Sequence, residues 1–401
     1  MAVVPVHAAV GGLSTAVFVS KMEQRWHGLF KEKFSRHYDL RTVYILDHVR
    51  EQGYVAFVDW LNAYIKGTDA RLILLDIEFF FGFGIDLILR ITKDVRIVLT
   101  TFDDIVFHEM NYINALGCDL VTCVDPLAVL KYREKGMNAE LLFLENSRMP
   151  FDEFQETVKD IDVLFFGDLT KSGRRAFIEG LIASGIEVTV HCSAMNGELS
   201  YPELAHLISR SKVVLNLSKT HTIVKRLEVF VPVWSFLQFK GRVIEAGLGR
   251  AACVSEYAPS IEYLFGNETV LMFRTVEECV EIIQGLLGNP ARLADLSARL
   301  RGMVLASFEQ EGQVQRLVDV IEKSTAVEKL PPQWIPYRYI VAMAMARFVS
   351  VRRPVGVWLR DLSAFVLGAC VYPVHLRLLA VLEVGIEILA RVFKWIRPSS
   401  I

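Results

Sequence analysis

The stretch KGRVIEAGLGRAACVSEYAPSIEYLF, residues 240–265, places charges, small residues and a strand in a suggestive order. Two cations, Lys240 and Arg242, come shortly before one carboxylate, Glu245, and glycines and an apolar strand follow. Cations bind diphosphate oxygens, a carboxylate accepts hydrogen bonds from ribose hydroxyls, and glycine lets a ligand approach the backbone closely. The order therefore predicts a site for a nucleotide diphosphate sugar.

The surrounding sequence predicts a parallel α/β fold. Apolar or β-branched runs of strand length alternate with segments whose apolar residues have helical spacing, and such alternation is typical of parallel sheets covered on both faces. The pattern restarts near Asp160, so two doubly wound, Rossmann-like domains are expected. The predicted strands are TAVFVS, TVYILD, RLILLDIE, VRIVLTTFDD, DLVTCVD and AELLFLEN in the first half, and DIDVLFFGD, EVTVHCS, VVLNLS and TVLMFRT in the second.

The boundaries follow from this pattern. Residues 1–150 are expected to form the first domain and residues 151–325 the second. Residues 326–401 differ in character, because Pro336, Pro354 and Pro373 divide them into three apolar and basic segments. We interpret them as an amphipathic helical tail.

The tail is basic although the whole chain has a net charge of -2. From Pro331 onwards there are nine Lys and Arg against three Asp and Glu. The last segment has apolar residues at helical spacing, namely Leu379, Leu382, Ile386, Leu389 and Phe393. Trp358 and Trp395 are candidate interface anchors. A basic helix with an apolar face is typical of a segment that lies on an anionic membrane surface. A docking helix or an oligomer interface is the alternative.

Composition indicates a cytoplasmic protein. The six cysteines form no CxxC pair and are interpreted as reduced core residues. No run of eighteen uncharged apolar residues exists, so no transmembrane helix is predicted. The first residues lack a basic region ahead of their apolar part and make a poor signal peptide.

A second group of cations follows the first strand of the second domain. Gly167 ends that strand, and Lys171, Arg174 and Arg175 lead into a helix. A glycine, a short loop and a helix N-terminus with cations form a plausible phosphate cradle. The alternative is a solvated basic first turn, which the helix dipole disfavours slightly.

Polar residues also end the strand VVLNLS. Asn216 can donate a hydrogen bond to a ribose, base or phosphate, although an asparagine that caps the strand end is the simpler explanation. Arg242 and Glu245 are three residues apart, and a plain helical ion pair is the alternative to a ligand site there. We favour the site, because glycines 247 and 249 weaken a helix without an evident packing benefit.

In the first domain, the segment TTFDD ends a strand with two carboxylates. Asp103 or Asp104 can act as the general base that deprotonates an acceptor hydroxyl, and His108 is an alternative base. The competing explanations are an aspartate that caps a helix and a histidine of the core or surface.

Other site classes find little support. The nine histidines show no HxxxH or HExxH spacing, so no metal site is predicted, and no Walker A loop or GxGxxG motif is present. The acidic residues 1–330 disfavour nucleic acid as a partner.

The order of these motifs resembles the C-terminal domain of GT-B glycosyltransferases. The pattern KxRxxEA, small residues, strand, carboxylate and then IEYLF is closest to the group-1-like branch with the CgeB-type proteins. FFGDLTKSGRR and YPELAHLISRSKVVLNLS precede it in the same order, and the resemblance extends over about residues 96–320. It implies that Glu245 contacts ribose, and that Lys240, Arg242 and the Gly167–Arg175 loop hold the diphosphate.

Two positions depart from the family pattern. Retaining transferases of family 4 carry a second glutamate eight residues before Glu245, where this chain has Leu237. The glycine usual five residues after the glutamate is Arg250 here.

The resemblance implies a metal-independent transferase with no cofactor, in which residues 1–150 bind the acceptor and residues 151–325 bind the sugar donor. It would move a sugar from a UDP- or GDP-sugar to an acceptor hydroxyl. The basic tail favours a glycolipid or polysaccharide precursor at the cytoplasmic face of a membrane as the acceptor. A sugar-nucleotide epimerase on the same fold and a non-catalytic binding protein are the alternatives, the second because of Leu237.

Overall fold

The computed structural model describes residues 13–77, 82–102, 104–169, 173–221, 235–324, 327, 329, 334–349, 351, 353–368 and 371–396. Two parallel sheets lie in the two halves of the chain, and the predicted α/β class is confirmed. The first sheet has the strand order β2-β1-β3-β4-β5-β6. Its strands are β1 (Thr15–Ser20), β2 (Asp39–Tyr44), β3 (Leu72–Asp76), β4 (Arg96–Thr101), β5 (Leu120–Cys123) and β6 (Ala139–Leu141).

Helices cover both faces of this sheet because its strands are apolar on both sides. In β1, Val17 and Val19 belong to one buried cluster, whereas Phe18 belongs to another on the opposite face. The helices of this half are α1 (His27–Phe34), α2 (Ile45–Gln52), α3 (Tyr54–Thr68), α4 (Ile85–Ile88), α5 (Asp104–Ala115), α6 (Pro126–Glu134) and α7 (Met149–Asp152).

The second sheet is also parallel, with the strand order β13-β12-β9-β7-β8. A short antiparallel pair, β10 with β11, stands beside it. The strands are β7 (Ile161–Phe166), β8 (Val188–His191), β9 (Ser211–Asn216), β10 (Lys219–His221), β11 (Ser235–Leu237), β12 (Ala252–Glu256) and β13 (Leu271–Phe273).

The helices of this half begin with polar caps where the sequence offers them. Ser200 and Thr275 each form a capping box with the glutamate three residues later. The helices are α8 (Arg174–Ala183), α9 (Ser193–Asn196), α10 (Tyr201–Ser209), α11 (Arg242–Leu248), α12 (Pro259–Phe265), α13 (Val276–Leu287), α14 (Pro290–Ser307) and α15 (Gln310–Lys323).

Helix α15 follows the second sheet in sequence but packs on the first one. Leu317 and Val318 are buried in the same cluster as Phe18 and Phe30. The chain therefore crosses between the sheets twice. The segment after β6 and helix α15, which make these two crossings, are joined by a hydrogen bond from the Phe143 backbone N–H to Gln313 Oε1 at 3.0 Å.

The tail forms three helices, each of which starts after one of the predicted prolines: α16 (Tyr337–Phe348), α17 (Val355–Leu367) and α18 (Val374–Ile396). Helix α16 is buried almost throughout, in a cluster that includes Ile85 and Met110 of the first domain. Trp358 is half-buried, packs against Phe348 and donates from Nε1 to the Phe348 carbonyl at 3.0 Å. Its role as an interface anchor stays a prediction, and the side chain of Trp395 lies outside the described part of the chain. No helix among the described residues is both long and apolar enough to cross a membrane.

Strand order fixes where a ligand can bind. In each sheet, the strands that follow the first strand in sequence lie on both sides of it. The direction in which successive strands are added therefore reverses between β1 and β3 in the first sheet and between β7 and β9 in the second. In open α/β sheets, ligands bind beyond the carboxyl ends of the strands at this switch point. Ser20 and Asp76 lie at that position in the first sheet, and Gly167 and Asn216 lie there in the second.

Candidate functional site

Arg242 is the central cation at the switch point of the second sheet. It is the first residue of α11, and its Nη1 donates to Asn216 Oδ1 at 3.1 Å. Its guanidinium lies over the rings of Phe165 and Phe166, 5.4 and 5.7 Å from their centroids. Burial first, and the nearby Arg174 guanidinium second, lower the pKa of Arg242 to about 9. The group stays charged at neutral pH, in surroundings that favour an anionic ligand.

Gly167 leaves room for the guanidinium of Arg242, because it has no side chain. The glycine has φ +136°, and a Cβ built on it would lie 2.5 Å from Arg242 Nη2. A side chain at position 167 would therefore displace the guanidinium. The glycine permits the close approach of a protein side chain here, and its predicted role in a phosphate cradle stays a prediction.

Asn216 has a supporting role. It is fully buried, and its Nδ2 donates to Ser255 Oγ at 2.8 Å and to Ser218 Oγ at 3.2 Å. These bonds orient its oxygen towards Arg242. Asn216 thus holds the cation, and direct contact of this residue with a ligand stays a prediction.

The other predicted cations differ in their surroundings. Arg174 is buried and donates to the backbone carbonyls of Asp168, Leu217 and Lys219 at 3.0–3.3 Å. It fastens the loops at this edge of the sheet and adds positive charge near Arg242. Arg175 is exposed, and Lys171 lies outside the described residues. Lys240 is half-buried, two residues before α11.

Glu245 is buried in α11 and faces the other domain. Its Oε1 lies 3.8 Å from Arg25 Nη2, and the described residues give its carboxylate no hydrogen bond. No ion pair joins Glu245 to Arg242 within 4 Å among these residues, so the plain helical pair considered from the sequence does not form. Burial raises the pKa of Glu245, while Arg25 and then Arg242 lower it.

Gly247 of α11 and Gly249, which follows the helix as its C-cap, serve packing, contrary to our expectation. A Cβ on Gly247 would lie 2.7 Å from Val304 Cγ2, and one on Gly249 would lie 2.5 Å from Ile208 Cγ2. The absence of side chains lets α11 approach α14 and α10 closely. Arg250, which replaces a glycine of the family pattern, has φ 55° in the left-handed region where glycine is favoured. Leu237 is the last residue of β11 and pairs with Lys219.

The predicted base of the first domain is part of a buried cluster. Asp104 is fully buried, and its Oδ1 accepts from Tyr132 Oη at 2.6 Å and from Asn111 Nδ2 at 2.9 Å. Its Oδ2 lies 2.9 Å from His108 Nδ1. Asp104 therefore orients the histidine, whose side chain keeps 16% exposure. Catalysis by His108 or Asp104 stays a prediction, and Asp103 lies outside the described residues.

A metal site is not evident in the described part of the chain. No group of three or more His, Cys, Asp and Glu side chains there is arranged to hold an ion. Metal independence stays a prediction.

Comparisons with known proteins agree with this geometry. Residues 173–319 match the model of a family described as glycosyl transferase-like. Sucrose-phosphate synthase of Thermosynechococcus elongatus superposes with a TM-score of 0.55 at 13% identity, over 77% of this chain and 98% of that chain. The chain has the GT-B glycosyltransferase fold. The resemblance stated from the sequence is confirmed at this level, and the CgeB-type branch stays a prediction.

Two further GT-B structures superpose over most of their length. Anabaena HepE in complex with UDP and glucose gives a TM-score of 0.55 at 10% identity, over 77% of this chain and 100% of that chain. A glycosyltransferase from Rickettsia africae gives 0.53 at 8% identity, over 78% and 98%. No curated protein sequence matches the chain significantly.

In this GT-B chain the first domain contributes residues to the cleft that the sequence did not reveal. Asp76 and Ser20 end neighbouring strands, and the loop between β1 and α1 carries Arg25. Both strands were predicted, but their adjacency was not. The rule that ligands bind where strand order reverses would have selected these residues once β1 and β3 were known to pair.

Proposed function

We propose that the protein transfers a sugar from a UDP- or GDP-sugar to an acceptor hydroxyl, without a metal ion. The acceptor is a lipid-linked glycan or a lipopolysaccharide or polysaccharide precursor at the cytoplasmic face of a membrane. Residues of the second domain hold the nucleotide, and the first domain receives the acceptor.

One observation carries this proposal. The cleft edge of the second sheet combines the charged Arg242, the neighbouring Arg174 and the buried carboxylate of Glu245, which accepts no hydrogen bond from the described residues. A nearly buried carboxylate that accepts no hydrogen bond from the described residues has free acceptor capacity for the hydroxyl groups of a ligand. Ribose hydroxyls are suitable donors, and a diphosphate suits the Arg242 guanidinium, to which Arg174 adds positive charge close by.

The structures of HepE support the choice of donor. That protein was crystallised with UDP-glucose as well as with UDP and glucose. At 10% identity this similarity establishes the fold only, so the nucleotide must be identified directly.

A thermal-shift screen against UDP-, GDP-, ADP-, CMP- and dTDP-sugars identifies the nucleotide, because a ligand that binds the native state raises its melting temperature. With the best donor, we expect Glu245→Gln to lower affinity about tenfold in calorimetry, as a hydrogen bond to a charged group is lost. Glu262→Gln, on an exposed residue of α12, should leave affinity unchanged. Equal affinity of wild type and Glu245→Gln would refute the ribose contact.

Product analysis separates the alternatives. Incubated with donor alone, an epimerase changes the sugar, whereas a transferase needs an acceptor. Binding without turnover in the presence of membrane and glycan extracts would favour the non-catalytic alternative.

The surface of the tail supports an acceptor in a membrane. Helix α18 packs Ala380 and Val384 inwards and exposes large apolar side chains outwards, and α17 does the same. The exposed large apolar residues are Val355, Leu359 and Leu367 on α17 and Val374, Leu378, Leu379, Leu382, Ile386 and Leu389 on α18. An apolar face of this size on a basic segment suits the interface of an anionic bilayer.

Flotation with vesicles of phosphatidylcholine and phosphatidylglycerol tests this face. We expect the triple variant Leu382→Gln, Ile386→Gln, Leu389→Gln to lose membrane binding about tenfold or more, because each leucine-sized side chain contributes about 1.5 kcal/mol or more when buried. The matched control is Leu130→Gln with Ile182→Gln, which are similarly exposed but lie outside the tail. Equal recovery of all three proteins would contradict membrane binding by this face.

A further inference from the structure

A buried carboxylate fixes the loop between β1 and α1. Asp76 Oδ2 accepts from Ser20 Oγ at 2.7 Å and lies 3.0 Å from His27 Nε2. The Gln24 backbone N–H donates to His27 Nδ1 at 3.1 Å, so Nδ1 carries no proton and Nε2 donates to Asp76. Gln24 Nε2 also approaches Asp76 Oδ2, at 3.5 Å. The three side chains that meet at this oxygen, those of Ser20, Gln24 and His27, therefore all belong to the loop or its ends.

Aromatic packing makes the loop rigid. Trp26 is buried against Phe18, Phe30 and Phe102, with ring centroids 5.4–6.2 Å apart. Its Nε1 donates to Gln24 Oε1 at 3.2 Å. The residue between them, Arg25, is therefore held at a defined point above the switch point of the first sheet.

Arg25 points across the cleft to the second domain. Its guanidinium lies 5.4 Å from the ring centroid of Tyr201 and 3.8 Å from Glu245 Oε1. Its side chain is 47% exposed, whereas that of Glu245 is 10% exposed. Within the described residues, Arg25 is the cation in salt-bridge distance of that carboxylate.

We propose that Arg25 is a positioning residue for the donor, which acts from the opposite domain by holding the Glu245 carboxylate ionised and oriented towards the ribose hydroxyls. The inference rests on the proposed function for the contact of Glu245 with ribose. It adds a contribution of the first domain to donor binding.

The charged groups around Glu245 agree with this role. Burial raises its pKa, and Arg25 and Arg242 oppose that effect. Tyr201 also faces Glu245, and burial followed by that carboxylate keeps the pKa of Tyr201 well above its ordinary value, so the phenol stays neutral. Without Arg25, the pKa of Glu245 rises. The carboxylate then takes up a proton at a higher pH and loses acceptor capacity for the two ribose hydroxyls.

Binding of UDP, measured by calorimetry at pH 6 and pH 8, tests the role. We expect Arg25→Ala to weaken UDP binding about fivefold at pH 6 and less at pH 8, and Arg25→Lys to restore most of the affinity. Arg36→Ala is the matched control, because Arg36 is 54% exposed and pairs with Glu311 at 2.9 Å. The same affinity loss at both pH values, or none at either, would overturn the proposal.

A second measurement needs no nucleotide. In a double-mutant cycle of Arg25→Ala with Glu245→Gln, urea unfolding at pH 8 should show a favourable coupling that shrinks as the pH falls towards 5. If the two substitutions show no coupling at pH 8, the proposal for Arg25 is overturned, whether or not the wild type binds a nucleotide diphosphate. If the wild type binds no nucleotide diphosphate, the proposed function is refuted separately. Coupling without any effect of Arg25→Ala on UDP binding would make the pair structural only, and would also overturn it.

Discussion

Asp86→Ala is expected to lower the free energy of unfolding by about 3–5 kcal/mol, because it leaves a buried guanidinium without its counter-ion. Arg347 is 2% exposed and donates to both oxygens of Asp86, at 2.9 and 3.0 Å. It also donates to the Gly82 carbonyl, and Tyr372 donates to Asp86 at 2.7 Å. Urea unfolding followed by circular dichroism measures the loss.

Two variants make the measurement specific. Asp59→Ala removes an exposed pair with Arg90 at 3.2 Å, and should change stability by less than about 1 kcal/mol. Asp86→Leu combined with Arg347→Met removes both charges, and should cost less than Asp86→Ala alone because no charge stays unpaired. An Asp86→Ala protein as stable as Asp59→Ala would show that the pair does not fasten the tail.

The position of Arg347 changes the interpretation of the tail. A second cluster joins Asp361 of α17 to the first domain, since its carboxylate accepts from the backbone N–H groups of Tyr54 and Val55 at the start of α3 and pairs with Arg353. The tail is therefore built into the first domain through α16 and α17. Removal of residues 331–401 would expose a core, so substitutions on the outer face are the better test of membrane binding.

The sequence predicted the helices and strands better than the tertiary contacts between them. Parallel strands and the prolines that open α16, α17 and α18 follow from local patterns, because both depend on residues close in the chain. The burial of α16 does not, since its contact with Ile85 spans more than 250 residues. In the sequence, Arg347 of α16 counted towards the basic charge of the tail, whereas in the structure Asp86 neutralises it.

The candidate site also combines residues that local patterns indicate with contacts that only the fold reveals. Arg242 and Glu245 were predicted from their spacing, and the structure places both on α11; their contact with a ligand stays a prediction. Arg174 fitted the phosphate pattern equally well, yet its guanidinium binds backbone carbonyls. Residue type and spacing indicate which groups can bind an anion, but only the fold shows which of them the backbone already uses.

Gly167→Ala is expected to weaken donor binding by roughly 10- to 100-fold, the range for loss of a hydrogen bond to a charged group. A Cβ at this position would lie 2.5 Å from Arg242 Nη2, so the guanidinium must move away from the switch point. The φ of +136° adds backbone strain of about 1–3 kcal/mol, which reduces stability but does not by itself act on the ligand. Calorimetry with the donor found in the thermal-shift screen measures the affinity.

Two comparisons distinguish the effect of displacing Arg242 on donor affinity from the effect of backbone strain on stability. Gly185→Ala introduces a side chain at φ +84° with no atom within 4 Å, so it should lower stability and leave donor affinity unchanged. Arg242→Ala should weaken binding as much as Gly167→Ala does, and the double variant should be no worse than either, because both remove one interaction. Additive losses would mean that Gly167 acts on the donor independently of Arg242, through its own backbone.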